Sequence, residues 1–165
     1  MNLKIHSELP ERKDWRIGCV GSGFIMSDCH LVAYGKTGFN PVAIASRTQA
    51  NAATCAEAHN IGTVHSTIDQ LLDDESIEVL DLAVPPDNQL EIIKAACARG
   101  TAVGILAQKP LGANYAEAVE AVEACEAAGI VLAVNQNMRY DQSVRAGKTL
   151  LENGTIGDPV LATID

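Results

Sequence analysis

The stretch "WRIGCVGSGFIM", residues 15–26, decides the fold. Residues 15–21 form a short, mostly apolar run closed by Gly21, the length of one strand rather than a helix. Gly23 follows two positions later. The apolar spacing then switches to that of a helix over "FIMSDCHLVAYGKTG", with Gly35 and Gly38 as the predicted stop. Strand, glycine turn and helix in direct succession is how a dinucleotide-binding α/β domain opens. Gly21 permits the tight turn, and Gly23 lets the backbone approach a pyrophosphate. The helix N-terminus supplies N–H groups to that anion. Ser22, Phe24 and Ile25 complete the candidate loop. The third small residue of the fingerprint is replaced by Met26, which predicts looser packing of helix on strand.

Working outward, the same alternation continues. Strands are predicted at 40–47, near 63–65, at 77–85, 101–108 and 130–136. Helices are predicted at 48–60, with Thr48 as N-cap, and at 66–74, with Ser66 and Asp69 flanking its start. Further helices follow at 87–100, 114–129 and 141–154, the last ended by Gly154. The strands are almost continuously apolar, so both faces are covered. That predicts an α/β fold with a doubly wound, mainly parallel sheet of Rossmann type. Ligands bind such sheets beyond the C-terminal strand ends. Ser22, Ser46, Asp87, Lys109 and Asn135 all fall at such ends. Residues 1–14 read as an N-terminal arm and 15–157 as the dinucleotide-binding domain. Residues 158–165 read as the first strand of a second, α+β substrate domain missing from this chain.

Composition narrows the partners. The 165 residues are 47% hydrophobic and 4% aromatic, with a formal net charge of -9. That charge argues against nucleic acid and against an anionic membrane surface. No apolar run approaches the roughly 18 residues of a membrane span, and the N-terminus lacks the apolar core of a signal peptide. The five cysteines, 19, 29, 55, 97 and 125, form no CxxC pair. They suit a reducing cytoplasm, with thiols packed as small apolar groups. His6, His30, His59 and His65 have no ligand spacing, so no metal is expected.

The end of the second strand bears on the cofactor. An acid that would hold a ribose 2′-OH is expected about 20 residues after the glycines. The sequence there reads Ser46-Arg47-Thr48. Hydroxyls can donate to phosphate, and arginine can pair with it, so NADP is preferred over NAD. The plain alternative makes Arg47 a solvated surface cation. At the end of the fifth strand, "VGILAQKPLGA" (103–113) breaks from apolar residues into Gln108, Lys109 and Pro110. A lysine there can bond a substrate hydroxyl and a cofactor ribose and favour developing negative charge on oxygen. The alternative is a lysine that snorkels out of a strand end. The acidic helix 114–129 reads as a solvated face, and 73–76 as a loop. Asp81 reads as a buried, hydrogen-bonded acid without assigned role, and Tyr140 and Asp141 as caps of the last helix.

"RIGCVGSGFI", "AVPPDNQLEIIKAACARG", "QKPLG" and "VNQNMRYDQSVRAGKTLLENGTIGDPV" together resemble the N-terminal half of the Gfo/Idh/MocA oxidoreductase family, over residues 15–165. In that family the fifth strand ends in Glu-Lys-Pro, whose lysine serves cofactor and substrate. Lys109 and Pro110 match, and Gln108 replaces the glutamate. Pro85 matches a proline after the fourth strand, and Gln89 stands where a histidine is common. Asn135 matches an asparagine that contacts the nicotinamide end, and Arg139 a nearby arginine. The resemblance implies a cofactor site of Gly21, Ser22, Gly23, Phe24, Ile25, Ser46, Arg47, Val84, Pro85, Asn88, Gln108, Lys109 and Asn135, with Lys109 also catalytic. It implies NAD(P)-dependent hydride transfer to or from a secondary alcohol or carbonyl of a sugar, polyol or related small molecule. The second domain of the family supplies an acid/base pair, the substrate wall and the dimer interface. The full-length protein is therefore expected to be a homo-oligomer, and this chain alone inactive. The alternative is a non-catalytic dinucleotide-binding regulatory or scaffold module. A methyltransferase lacks support, since its acid after the second strand is missing.

Overall fold

The computed structural model describes residues 5–163, which group into two compact units. The larger spans Glu11–Asn135 and carries a six-stranded sheet of order β3-β2-β1-β4-β5-β6, parallel at every pairing. The strands are β1 (Ile17–Val20), β2 (Ala43–Ala45), β3 (Thr63–Val64), β4 (Val79–Leu82), β5 (Gly104–Gln108) and β6 (Val131–Asn135). The helices between them are α1 (Leu31–Thr37), α2 (Gln49–His59), α3 (Ile68–Leu72), α4 (Pro86–Arg99) and α5 (Tyr115–Ala128). The expected doubly wound parallel sheet is present, with strands shorter than the apolar runs that announced them.

Alternation along the strands explains the two-sided core. Ile17, Cys19 and Ile44 pack with Met26 and Leu31 and with Ala52, Cys55 and Ala56 of α2. Val20, Ala43, Ala45, Leu80, Leu82 and Ile105 pack on the other cluster, with residues of α3, α4 and α5. The central strand β1 is buried throughout, so it reads as continuous rather than alternating. Gly18 leaves room there for Ile77, whose side chain would have to shift from a Cβ only 2.7 Å away.

Several local expectations are corrected. Gly35 lies inside α1 and does not end it; Gly38, in the left-handed region at φ 84°, does. The first helix opens as a π-helical turn, Ile25–His30. Thr48 sits at the N-cap of α2, but its side chain makes no capping bond. The start of α3 lies between Ser66 and Asp69 as expected, and its cap is Thr67, whose side chain accepts from Gln70 N–H.

The smaller unit includes residues 5–10 and 136–163 of the described chain. It holds a 3-10 turn, Asn137–Tyr140, and α6 (Gln142–Glu152). Asp141 caps α6 through Ser143 and Val144 N–H, whereas Tyr140 makes no capping bond. The helix closes as predicted at Gly154, with Gly154 N–H on Leu151 and Thr155 N–H on Leu150. Arg139 lines a cavity of about 390 Å³ in this unit with Tyr140, Arg145 and Lys148. Residues 158–163 pair with no strand, and residues 164–165 of the predicted last strand lie outside the described residues.

Candidate functional site

The strand order reverses direction at β1, so the loops after β1 and β4 diverge and leave a crevice. A groove of about 620 Å³ lies there. Its walls include the β1 loop (Gly21, Ser22, Gly23), the β2 end (Ser46, Arg47) and the β4 loop running into α4 (Val84, Pro85, Asn88). Eight of the predicted cofactor residues are thus brought together, the eight just named.

The two glycines have different reasons. Gly21 has φ 104°, and its N–H donates to Ala45 O at 2.8 Å. A Cβ there would lie 2.4 Å from Ala83 O, so no other residue fits. A Cβ on Gly23 would meet no protein atom within 4 Å. Gly23 therefore relieves no internal clash, and its missing side chain lets the chain's own backbone come close to a ligand. This fits a dinucleotide pyrophosphate.

Ser46 departs from expectation. It is buried, accepts a hydrogen bond from Ser22 Oγ at 3.0 Å, and donates to Thr48 O at 2.8 Å. Its proton is committed inside the protein and is not offered to a phosphate. Arg47 is exposed and lines the groove.

Phe24, Ile25, Gln108, Lys109 and Asn135 do not line this groove. Phe24 is 70% exposed, at the N-cap of the π-helical turn. Gln108, Lys109 and Asn135 gather instead at the ends of β5 and β6, where Gln108 and Asn135 are register partners. Lys109 is exposed, and the Lys109–Pro110 peptide is cis. Gln108 turns back on the chain: its Oε1 accepts from Lys109 N–H at 2.8 Å, so it holds the lysine's backbone rather than reaching outward.

Sequence reasoning missed what holds this second cluster. Gln89, fully buried in α4, clamps the β5 turn. Its Nε2 donates to Gln108 O at 3.0 Å and Pro110 O at 2.8 Å, and its Oε1 accepts from Gln108 N–H at 2.7 Å. Asp81 is buried as expected, and its partners are His30 and Tyr34. Burial and the adjacent Asp81 charge push the Tyr34 hydroxyl well above its usual range. One sequence signal was available. His30 and Tyr34 stand four apart on one helix face, and a lone acid in an apolar strand needs partners. Thr48, Asn51, Ser66, Thr67 and Glu91 also line the groove and were not named as site residues.

Among the described residues no group of three or more His, Cys, Asp or Glu is arranged to hold a metal. No helix there is long and apolar enough to cross a membrane.

A parallel sheet in this order, with a turn that only glycine fits beside a crevice at its switch point, defines a dinucleotide-binding domain of Rossmann type. The chain belongs to the Gfo/Idh/MocA oxidoreductase family: residues 15–136 match that family's NAD-binding Rossmann fold. It is 27% identical over 148 residues to D-apiose dehydrogenase of Paraburkholderia graminis, covering 89% of this chain and 39% of that protein. Among solved structures, an oxidoreductase from Thermotoga maritima aligns with a TM-score of 0.82 at 28% identity, over 89% of this chain and 45% of that one. Levoglucosan dehydrogenase, solved with NADH and levoglucosan, aligns with a TM-score of 0.79 at 29% identity, over 87% and 40%. The chain spans about two fifths of the length of these proteins.

Proposed function

We propose that this chain is the cofactor-binding part of an oxidoreductase that moves a hydride between a nicotinamide dinucleotide and a secondary alcohol or carbonyl of a sugar, polyol or related small molecule. The observation that carries the reading is the open space at Gly23, beside the clash-bound turn of Gly21, inside the switch-point groove. Relatives that act on D-apiose or are solved with levoglucosan support a sugar-like substrate and favour an enzyme over a non-catalytic module.

A bound nicotinamide would supply the hydride chemistry. The chain's own residues would do the rest. Gly21, Ser22 and Gly23 form the turn that would hold the pyrophosphate. Val84, Pro85 and Asn88 wall the groove along the β4 side. Lys109, on its clamped turn, would orient the substrate oxygen and stabilise negative charge developing on it. NADP is preferred over NAD because Arg47 stands where an acid would hold the 2′-OH; with the Ser46 hydroxyl engaged, Arg47 and the Thr48 hydroxyl on the groove wall carry this preference. Titration of the chain with NADPH, NADH and ADP-ribose tests the reading. Saturable binding of these ligands is expected, and no binding of any would overturn it.

A further inference from the structure

Behind the ends of β5 and β6 runs a line of polar side chains that the groove does not use. Asp81 is wholly enclosed, and His30 is 8% exposed. The carboxylate accepts from His30 Nδ1 at 2.9 and 3.0 Å and from Tyr34 Oη at 2.8 Å. A buried carboxylate is costly unless its lone pairs are filled, and here a ring N–H and a hydroxyl fill them. With its hydrogen on Nδ1, the ring leaves Nε2 free to accept. Two amides offer hydrogens to that atom: Asn135 Nδ2 at 2.8 Å and, at longer range, Gln108 Nε2 at 3.5 Å.

These two amides belong to the last register pair of the β5–β6 ladder. An isolated carboxamide can sit either way round, because its oxygen and nitrogen ends have nearly the same shape. Here the single lone pair of Nε2 draws the Asn135 NH2 inward, so the Asn135 oxygen points away from the ring. The Gln108 oxygen is used by Lys109 N–H. The Asn135 oxygen accepts no hydrogen bond among the described residues. The fold thus leaves one oriented acceptor at the C-terminal end of β6, next to the end of β5 and on the opposite side of the β1–β4 crevice from Arg47.

We infer that Asp81 and His30 are positioning residues: through Nε2 they fix which way the Asn135 carboxamide faces, and so present its oxygen to an N–H or O–H donor on the nicotinamide-ribose half of the cofactor. This rests on the dinucleotide reading above. The chemistry parallels a metal-bound or catalytic histidine whose tautomer is set by a carboxylate on its far nitrogen. The ring here serves an amide instead. Tyr34 holds the carboxylate in turn.

Matched ligands separate this inference from the reading beneath it. NADH and ADP-ribose share everything except the nicotinamide, as do NADPH and 2′-phospho-ADP-ribose. Asp81→Asn keeps the side-chain volume but lets the hydrogen move to Nε2, against the Asn135 NH2. In the 165-residue chain, this variant is expected to weaken the dinucleotides about 5- to 10-fold and the nicotinamide-free ligands by less than about twofold, as for one lost hydrogen bond. Equal losses for both ligands of a pair would mark a packing role and overturn the inference, as would no loss at all. Failure of the parent to bind any of the four would overturn the dinucleotide reading and this inference with it. Nitrogen NMR of the imidazole gives a readout that does not depend on Asp81→Asn folding. The parent ring should carry hydrogen on Nδ1 and a bare Nε2, and hydrogen on Nε2 would overturn the inference. Asn135→Asp replaces the amide donor with an acceptor and should draw a hydrogen onto Nε2. An unchanged His30 spectrum in that variant would also overturn it.

Discussion

At the scale of single residues, Arg47 and Lys109 make separable predictions. Arg47 is an exposed cation on the groove wall, so its worth to a phosphate is discounted by solvent. A charge-assisted hydrogen bond contributes about 1.5–3 kcal/mol, and the low end applies here. Arg47→Ala is expected to weaken NADPH binding about tenfold and leave NADH binding unchanged. Parallel titrations check this, and equal effects on the two cofactors would remove the argument for NADP. Lys109 differs because, under the proposed function, its contribution would fall on the reacting oxygen. In an enzyme containing this chain, Lys109→Ala should lower kcat/KM by about 10²–10³, as for loss of one preorganised donor. Cofactor affinity should change far less, since the glycine turn is untouched. Comparable losses in both would reassign Lys109 to cofactor binding alone.

At the scale of elements, the β5 turn depends on a helix that is remote from it in sequence. Gln89 in α4 supplies three hydrogen bonds to the backbone of Gln108 and Pro110. Gln89→Leu keeps much of the volume but strands one N–H and two carbonyls. Each stranded group costs about 1–3 kcal/mol, partly relieved by water at the turn. A total loss of about 2–4 kcal/mol is expected from urea unfolding, with faster amide hydrogen exchange concentrated at Gln108. Uniform exchange across the sheet would instead indicate a general packing defect. This clamp also shows where reading the sequence stops. Strands such as Ile17–Val20 were legible because both faces are covered, which leaves a continuous apolar run. The glycine loop was legible because its chemistry is local. The strand ends were overextended because apolar residues continue past the last ladder pair. The π-helical turn at Ile25–His30 was not legible, since its apolar spacing is that of an ordinary helix. Gln89 could be placed opposite a family histidine but not given a partner. Its partners lie 19 and 21 residues away and are backbone groups, which carry no sequence signal. The engaged Ser46 hydroxyl escaped for the same reason: one partner, Ser22, comes from 24 residues earlier.

At the scale of the whole molecule, acid and thiol chemistry report on the same folded state. Three carboxylates are held below their usual range by hydrogen bonds: Asp74 mainly from the Ser76 hydroxyl, Glu78 mainly from Arg16 N–H, and Asp141 mainly from the Ser143 hydroxyl. A depressed acid stabilises the fold fully above its unfolded pKa, about 3.9 for Asp and 4.3 for Glu, and loses that contribution as pH falls through the folded value. Tm should therefore be level near neutrality and fall below about pH 4. A Tm that rose on acidification would contradict these assignments. The thiols give the sharper test. Alkylation needs the thiolate. Burial pushes Cys19 and Cys55 up, and burial with the nearby Cys97 pushes Cys125 up to about 12. At pH 8 these raised thiols are held in the protonated form. Cys19, Cys55 and Cys125 are also buried, whereas Cys29 is exposed and Cys97 half-buried. Iodoacetamide on the folded chain should therefore label Cys29 first and Cys97 more slowly. Cys19, Cys55 and Cys125 should be labelled only as the sheet opens. Labelling in increasing urea, read by peptide mass, should bring those three in together at the unfolding midpoint, because they come from both faces of one sheet. Entry of Cys125 well before Cys19 and Cys55 would mean that the α4–α5 face opens on its own, and that the two faces of the sheet do not unfold as one unit.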